Sequence, residues 1–161
     1  MNKILVATDG SDSATEAVEF GIELAAENEA ELILVHVVPA LDIVPASGFG
    51  IGGAFPHEPS LEDHALLERA AAVAEAYGIF PTTVLLAGDT VDEIVAYADS
   101  HNVDLIVVGS RGHGTIANAL LGSVSRGVLA ESKRPVMVVR GGASIRHSAD
   151  VRRPAGVGLG F

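Results

Sequence analysis

The residues best suited to chemistry lie in one stretch, from Gly109 to Ser125. Gly109 and Gly112 are separated by two residues, and nine residues later come Gly122, Ser123, Val124 and Ser125. Glycines at a strand exit let the backbone turn tightly and approach a ligand closely. A segment that opens a helix points free amides outward, and that end is a ready site for a phosphate. The hydroxyls of Ser123 and Ser125 add donors there, and Arg111 supplies the charge a triphosphate calls for. The blander reading makes the glycines a plain strand-to-helix connection and Ser123 an N-cap. Each residue taken singly fits it; the set taken together is harder to dismiss. A second candidate exit is Thr8-Asp9-Gly10-Ser11. Asp9 suits ribose hydroxyls or a share in a divalent ion carried on phosphates, and equally an Asx turn with Gly10.

Other chemistries lack their residues. Gly112-x-Gly114-x-x-Ala117 formally matches a dinucleotide fingerprint, but that belongs to a first βα turn with an acid closing the next strand, and here the next strand closes with Arg140. No Gly-Lys-[Ser/Thr] is present, which excludes a P-loop. A phosphoreceiver needs a lysine ending its last strand, where this chain has Val139-Arg140. Ser123 is not in a G-x-S-x-G elbow, so hydrolase chemistry lacks its nucleophile. The six histidines form no metal constellation. His57 and His64 bracket a loop and a helix start, His36 sits in a strand, and His101 ends a helix where the dipole favours it. His113 adjoins the glycine loop and reads as a solvated loop residue. No catalytic or metal-ligating set is expected.

The elements that position these residues alternate strand with helix up to residue 140. Ile4-Leu5-Val6-Ala7 is a buried apolar run ended by a turn. Ser13 and Glu16 have the spacing of a capping box, before a helix with Ala14, Ala17, Val18, Gly21, Ile22 and Ala25 on one face. The second strand spans Leu32 to Val38. From Pro39 to Pro59 the chain reads as irregular and rich in glycine, which predicts a mobile functional loop or partial disorder. Ser60 and Asp63 open a second helix with a core stripe of Leu66, Ala70, Val73 and Tyr77, stopped by Gly78. Thr82–Ala87 is the third strand. Thr90 and Glu93 suggest another capping box, before inward-facing Val91, Ile94, Val95 and Ala98. Leu105–Val108 is the fourth strand, a short helix begins near Ser123, and Val136–Val139 is the last strand. This alternation specifies an α/β fold, a doubly wound five-stranded parallel sheet with helices on both faces.

The chain has 161 residues, enough for a single domain of residues 1–140 with a tail of 141–161 expected to be disordered. Cysteine is absent, so disulfides, thiolate zinc sites and thiol catalysis are excluded. Hydrophobic residues make up 48% but aromatics only 4%, so the core is built from Ala, Val, Leu and Ile, as in buried parallel strands. No apolar run of membrane-spanning length and no signal-peptide pattern is present, and the expectation is a soluble cytoplasmic protein. The formal net charge is −11; Arg146, Arg152 and Arg153 against Asp150 leave the tail at +2, so residues 1–140 carry −13. Such a field repels nucleic acid and anionic membranes, and neither is an expected partner. Only Lys3 and Lys133 are lysines. An acidic, lysine-poor surface suits concentrated salt, as in a halophilic source.

The string Gly109-x-x-Gly112, nine residues, then Gly122-Ser123 resembles the G-x2-G-x9-G-[ST] pattern of ATP-binding universal stress proteins. The resemblance extends to Lys3–Ser11, Leu34–Val37, Asp104–Gly112, Leu121–Ser125 and Lys133–Val139, and covers about residues 2–140. It implies an adenine nucleotide alpha hydrolase-like sheet of order 3-2-1-4-5 and a homodimer built through Val136, Met137, Val138 and Val139. It also implies ATP held between the ends of the first and fourth strands. By that resemblance Ala7, Thr8, Asp9 and Val37 face the adenosine. Val108, Gly109, Gly112, Gly122, Ser123, Val124 and Ser125 surround ribose and phosphates, with Ser110 and Arg111 in the same loop. Mg²⁺ or Mn²⁺ would arrive with the triphosphate rather than occupy a protein cage. Family members lacking these glycines do not bind ATP, and this chain keeps them. Two points depart from the commonest pattern: the 39–59 loop is glycine-rich and lined with acids rather than bases, so whatever it reads is not inherited, and the 141–161 tail is unmatched. The implied function is a nucleotide-dependent regulatory or sensor module in the stress response. Two alternatives stand beside it: a slow ATPase or nucleotidyl-handling enzyme, and a nucleotide-free interaction protein.

Overall fold

A computed structural model describes residues 1–45, 52–111 and 121–140. The tail of 141–161, Gly112 and His113 lie outside the described residues. Apolar runs become strands and amphipathic stretches become the helices between them. In chain order these are β1 Lys3–Ala7, α1 Asp12–Asn28, β2 Glu31–Val38, β3 Leu41–Val44, β4 Gly53–Pro56, α2 Leu61–Ala76, β5 Thr82–Ala87, α3 Thr90–Ser100, β6 Leu105–Gly109, α4 Ser123–Glu131 and β7 Val136–Val139. Five strands form a parallel sheet of order β5-β2-β1-β6-β7, which counted among the sheet strands alone is 3-2-1-4-5.

Right-handed crossovers running one way from β1 put α1 and α2 on one face of the sheet, and those running back put α3 and α4 on the other. Alternate strand residues feed the two layers. Ile4, Val6, Leu32, Leu34 and Val107 pack with Ala17, Ile22 and Leu67 under α1 and α2. Leu5, Ile33, Val35, Ile106 and Val108 pack with Ile94, Ala98 and Val128 under α3 and α4. The predicted inner face of α1 is buried as expected, from Ala14 to Ala25. The N-terminus is pinned to β6, where the amides of Asn2 and Lys3 donate to Asp104 and hold its carboxyl below the usual range.

Four local expectations are corrected. Residues 41–44 and 53–56 are not irregular: they pair as an antiparallel hairpin, Leu41 opposite Pro56 and Val44 opposite Gly53. It exposes Leu41, Ile43 and Phe55, so no half-buried alternation marks it in the sequence. Helix α1 is capped by Ser11, whose hydroxyl accepts from the Ala14 amide, and not by Ser13. Helix α3 is capped by Asp89, which accepts from the amides of Val91 and Asp92, and not by Thr90. The core stripe of α2 is Leu67 and Ala74 with Ala70 and Ala71 beside them, whereas Tyr77 is 64% exposed. Ser60 and Asp63 do open α2 as expected, and they do so as a capping box, while Gly78 ends that helix at φ +77°, where only glycine is unstrained.

Candidate functional site

The crossovers leave β1 and β6 in opposite directions while the strands lie side by side, Ala7 against Val108. Their carboxyl ends flank the switch point, where open parallel sheets bind ligands. On the β1 side, the Thr8 amide donates to the Val35 carbonyl at 2.9 Å and the chain then folds sharply. The Gly10 amide donates to Thr8 Oγ1 at 3.2 Å, and the Ser11 amide to Asp9 Oδ1 at 3.0 Å. The second of these is an Asx turn, so part of the Asp9 carboxylate shapes its own loop. Gly10 sits at φ +76° to make the turn.

On the β6 side, serines knit the start of α1 to the ends of β6 and β7. Ser13 Oγ lies 3.3 Å from Ser110 Oγ and accepts from the Arg111 amide at 3.2 Å. The Ser110 amide donates to the Val139 carbonyl at 2.6 Å, and the Gly122 amide donates to the Ser110 carbonyl at 2.7 Å. These bonds bring Gly122 back to the strand it left. Helix α4 then starts at Ser123 with Gly122 as its cap, and no described side chain caps its first-turn amides. A helix start with no cap among the described side chains, held beside the end of β6, has the donors and the dipole for an anion.

The sheet divides the remaining predicted residues between its two faces. Ala7, Val37, Val108 and Val124 lie together on the α3–α4 side, an apolar floor beside the start of α4. Thr8 is turned the other way and lines a cavity of about 250 Å³ between α1 and α2, with Val18, Leu66 and Val73. Its side chain is therefore apart from Ala7 and Val37. Asp9 is half-buried and Arg111 exposed at the rim. Ser123 is exposed, whereas Ser125 is 2% exposed and its hydroxyl lies inward, 3.0 Å from the Gly122 carbonyl and 3.3 Å from that of Ser110. Among the described residues no group of three His, Cys, Asp or Glu side chains is placed to hold a metal ion.

Two participants escaped the sequence reading. Ser13 is a junction residue and not a helix cap. His36, read only as a strand residue, contacts both Thr8 and Asp63 across the α1–α2 face. A single histidine inside an otherwise apolar strand was the available signal.

The geometry defines a class first: a doubly wound α/β domain with an anion-suited helix start at its switch point. The universal stress protein family model matches residues 1–140. The chain is 37% identical over 146 residues to universal stress protein YxiE of Bacillus subtilis (strain 168), covering 86% of this chain and 99% of that one. Among solved structures it is similar to a universal stress protein in complex with cAMP, with 33% identity, a TM-score of 0.64, and 86% and 95% of the two chains covered. It is also similar to the universal stress protein from Archaeoglobus fulgidus in complex with dAMP, with 25% identity, a TM-score of 0.63, and 86% and 98% covered. This chain belongs to the universal stress protein family. No helix among the described residues is long and apolar enough to cross a membrane.

Proposed function

We propose that this protein binds an adenine nucleotide, ATP by preference, and acts as a nucleotide-dependent regulatory module of the cytoplasmic stress response. The observation that carries the reading is the α4 start: a glycine cap, first-turn amides with no described side-chain cap, and a position facing the β1 exit across the switch point. The relatives solved with cAMP and dAMP support an adenine ligand for this fold. Ala7 and Val37 form the apolar floor for the base, and Asp9 with the Thr8 backbone borders the sugar. The amides of Ser123, Val124 and Ser125 take the phosphates, with Val108, Gly109, Ser110, Arg111, Gly112 and Gly122 closing the loop around them. Mg²⁺ or Mn²⁺ comes with the triphosphate, which fits a site whose own contribution is amides and glycines rather than a carboxylate cage. The protein pairs with a second copy through Val136, Met137, Val138 and Val139, a reading supported by the position of β7 at an edge of the sheet.

Native mass spectrometry tests both parts, with the protein as purified and after addition of Mg-ATP, AMP or cAMP. The expected result is a dimer with one adenine nucleotide per subunit, with ATP held most tightly. Gly122→Val is expected to abolish uptake while the fold survives. A dimer that takes up none of the three, or full affinity in Gly122→Val, overturns the nucleotide reading. The first outcome favours an interaction protein.

A further inference from the structure

His36 lies in β2 on the α1–α2 face, 9% exposed, with each ring nitrogen directed at an oxygen. Nδ1 is 2.9 Å from the Thr8 carbonyl and Nε2 is 3.1 Å from Asp63 Oδ1. A carbonyl oxygen only accepts. Asp63 also only accepts, because it is a carboxylate: donation from the Ser60 hydroxyl and amide at 2.7 and 2.8 Å, with a smaller contribution from His36, holds its carboxyl at about 2. Both bonds therefore need a proton on both ring nitrogens. A neutral imidazole carries one N–H and makes one of them; an imidazolium makes both.

The two acceptors belong to different machinery. Thr8 leads directly into the Asp9–Gly10 turn of the candidate site. Asp63 is the third residue of α2 and closes its capping box with Ser60. Leu66, one turn further on, packs against the same turn: a Cβ on Gly10 would stand 3.0 Å from Leu66 Cδ1. The ring thus ties the site's first loop to the start of a helix that also walls the α1–α2 cavity. Asp63 is the charged group against the ring from α2, with Glu62 and His64 flanking it. Asp9 follows Thr8 at the end of β1, and Leu85 is the register partner of His36 on β5.

We propose that His36 is a proton-operated positioning residue, holding the β1 exit to the start of α2 when doubly protonated and releasing one of the two ties when it loses a proton. Its effect on ligand binding rests on the nucleotide reading above; the clamp itself is a property of the protein without ligand.

The test begins on the ligand-free full chain. Long-range ¹H–¹⁵N NMR from pH 5 to 8.5 reads how many protons the His36 ring carries, and both nitrogens are expected to be protonated where the first α2 turns are best protected. Amide hydrogen exchange, corrected for the intrinsic rate, is expected to show protection of the first α2 turns falling about five- to tenfold between pH 6 and 8.5, as one charge-assisted bond is lost. In His36→Gln that pH dependence disappears, and in Asp63→Asn it is reduced. A ring that carries one proton throughout pH 5 to 8.5, or exchange independent of pH, overturns the clamp. AMP and Mg-ATP affinities are then compared between wild type and His36→Gln at each pH, which removes the nucleotides' own titration. A wild-type preference of about fivefold at pH 6 that vanishes at pH 8.5 is expected. Absence of binding at both pH values overturns the nucleotide reading instead, and the ring and exchange data still decide the clamp.

Discussion

Gly109 ends β6 against the first turn of α1, where a Cβ on it would stand 2.6 Å from the Ser13 carbonyl oxygen. The missing side chain is required by the protein's own backbone before any ligand is considered. This glycine was read from sequence as room for a nucleotide; the structure adds that it lets a helix dock on a strand end. The neighbour is main chain inside a helix, anchored by the Ser13–Ser110 contact, and has little freedom to retreat.

Gly109→Ala is therefore expected to destabilise the fold by about 1–3 kcal/mol, the usual cost of overpacking a fixed contact. Urea denaturation at neutral pH reads it. An unchanged midpoint would mean the α1 start relaxes around a methyl group.

Gly21 makes a similar close approach in mid-helix, where an added Cβ would run into the Val6 side chain. Alanine gains up to about 1 kcal/mol in helix propensity there. Val6 is fully buried and branched at Cβ, so the clash outweighs that gain. Gly21→Ala is expected to lower stability by about 1 kcal/mol net, and a higher thermal midpoint would contradict this.

Asp63 sets an acid limit. Its carboxyl titrates near 2 in the folded chain against an ordinary 3.8. The cap it makes therefore contributes in full above about pH 4 and is lost as pH falls toward 2. The stability difference between wild type and Asp63→Asn, measured by urea titration from pH 5 to pH 2, is expected to shrink over that interval. A difference that stays constant over the interval would show that the ionised carboxylate is not what stabilises the cap.

Ser125 and Ser123 are expected to separate stability from binding. Ser125→Ala removes a buried inward hydroxyl and should cost about 1 kcal/mol, while AMP affinity measured by calorimetry stays within about twofold. Ser123→Ala, at an exposed position, should leave stability unchanged. If Ser125→Ala abolishes binding in a folded protein, its hydroxyl faces the ligand.

Much of this architecture could be read from residue order. The strand exits at Ala7 and Val108 follow from short apolar runs with glycine or aspartate behind them, and those breakers place the switch point. The start of α2 at Ser60 and Asp63 was legible because no rival capping residue stood nearby. At α1, Ser11 and Ser13 compete, and local spacing does not reveal that Ser13 is taken by Ser110, far off in sequence. In α2 the alanines win the core because small residues let the helix approach the sheet, which leaves Tyr77 outside despite its apolar spacing. Residues 41–44 and 53–56 pair with Leu41, Ile43 and Phe55 exposed, so apolar alternation carries no trace of that pairing, and the Asp42–His57 contact that joins the two sides spans fifteen residues. The separation of Thr8 from Ala7 and Val37 was available in principle, since strand side chains alternate; grouping residues by motif hid it. His36 needed three dimensions, because its partners come from two elements.

The serine junction also bears on the order in which the chain acquires its structure. Ser13 reaches Ser110 at 3.3 Å and the Val139 carbonyl at 3.5 Å, so the first helix takes its final partners from the end of β6 and from the last strand. During synthesis, α1 and β2 are available to fold early on local contacts, while these partners do not yet exist. Ser110 and Ser13 gain the Val139 carbonyl as partner only when β7 has left the ribosome and inserted beside β6. A nascent chain halted before Val136 would hold its first two strands and still lack the backbone that Ser13 and Ser110 bond, so the junction at the switch point is completed only by the last strand.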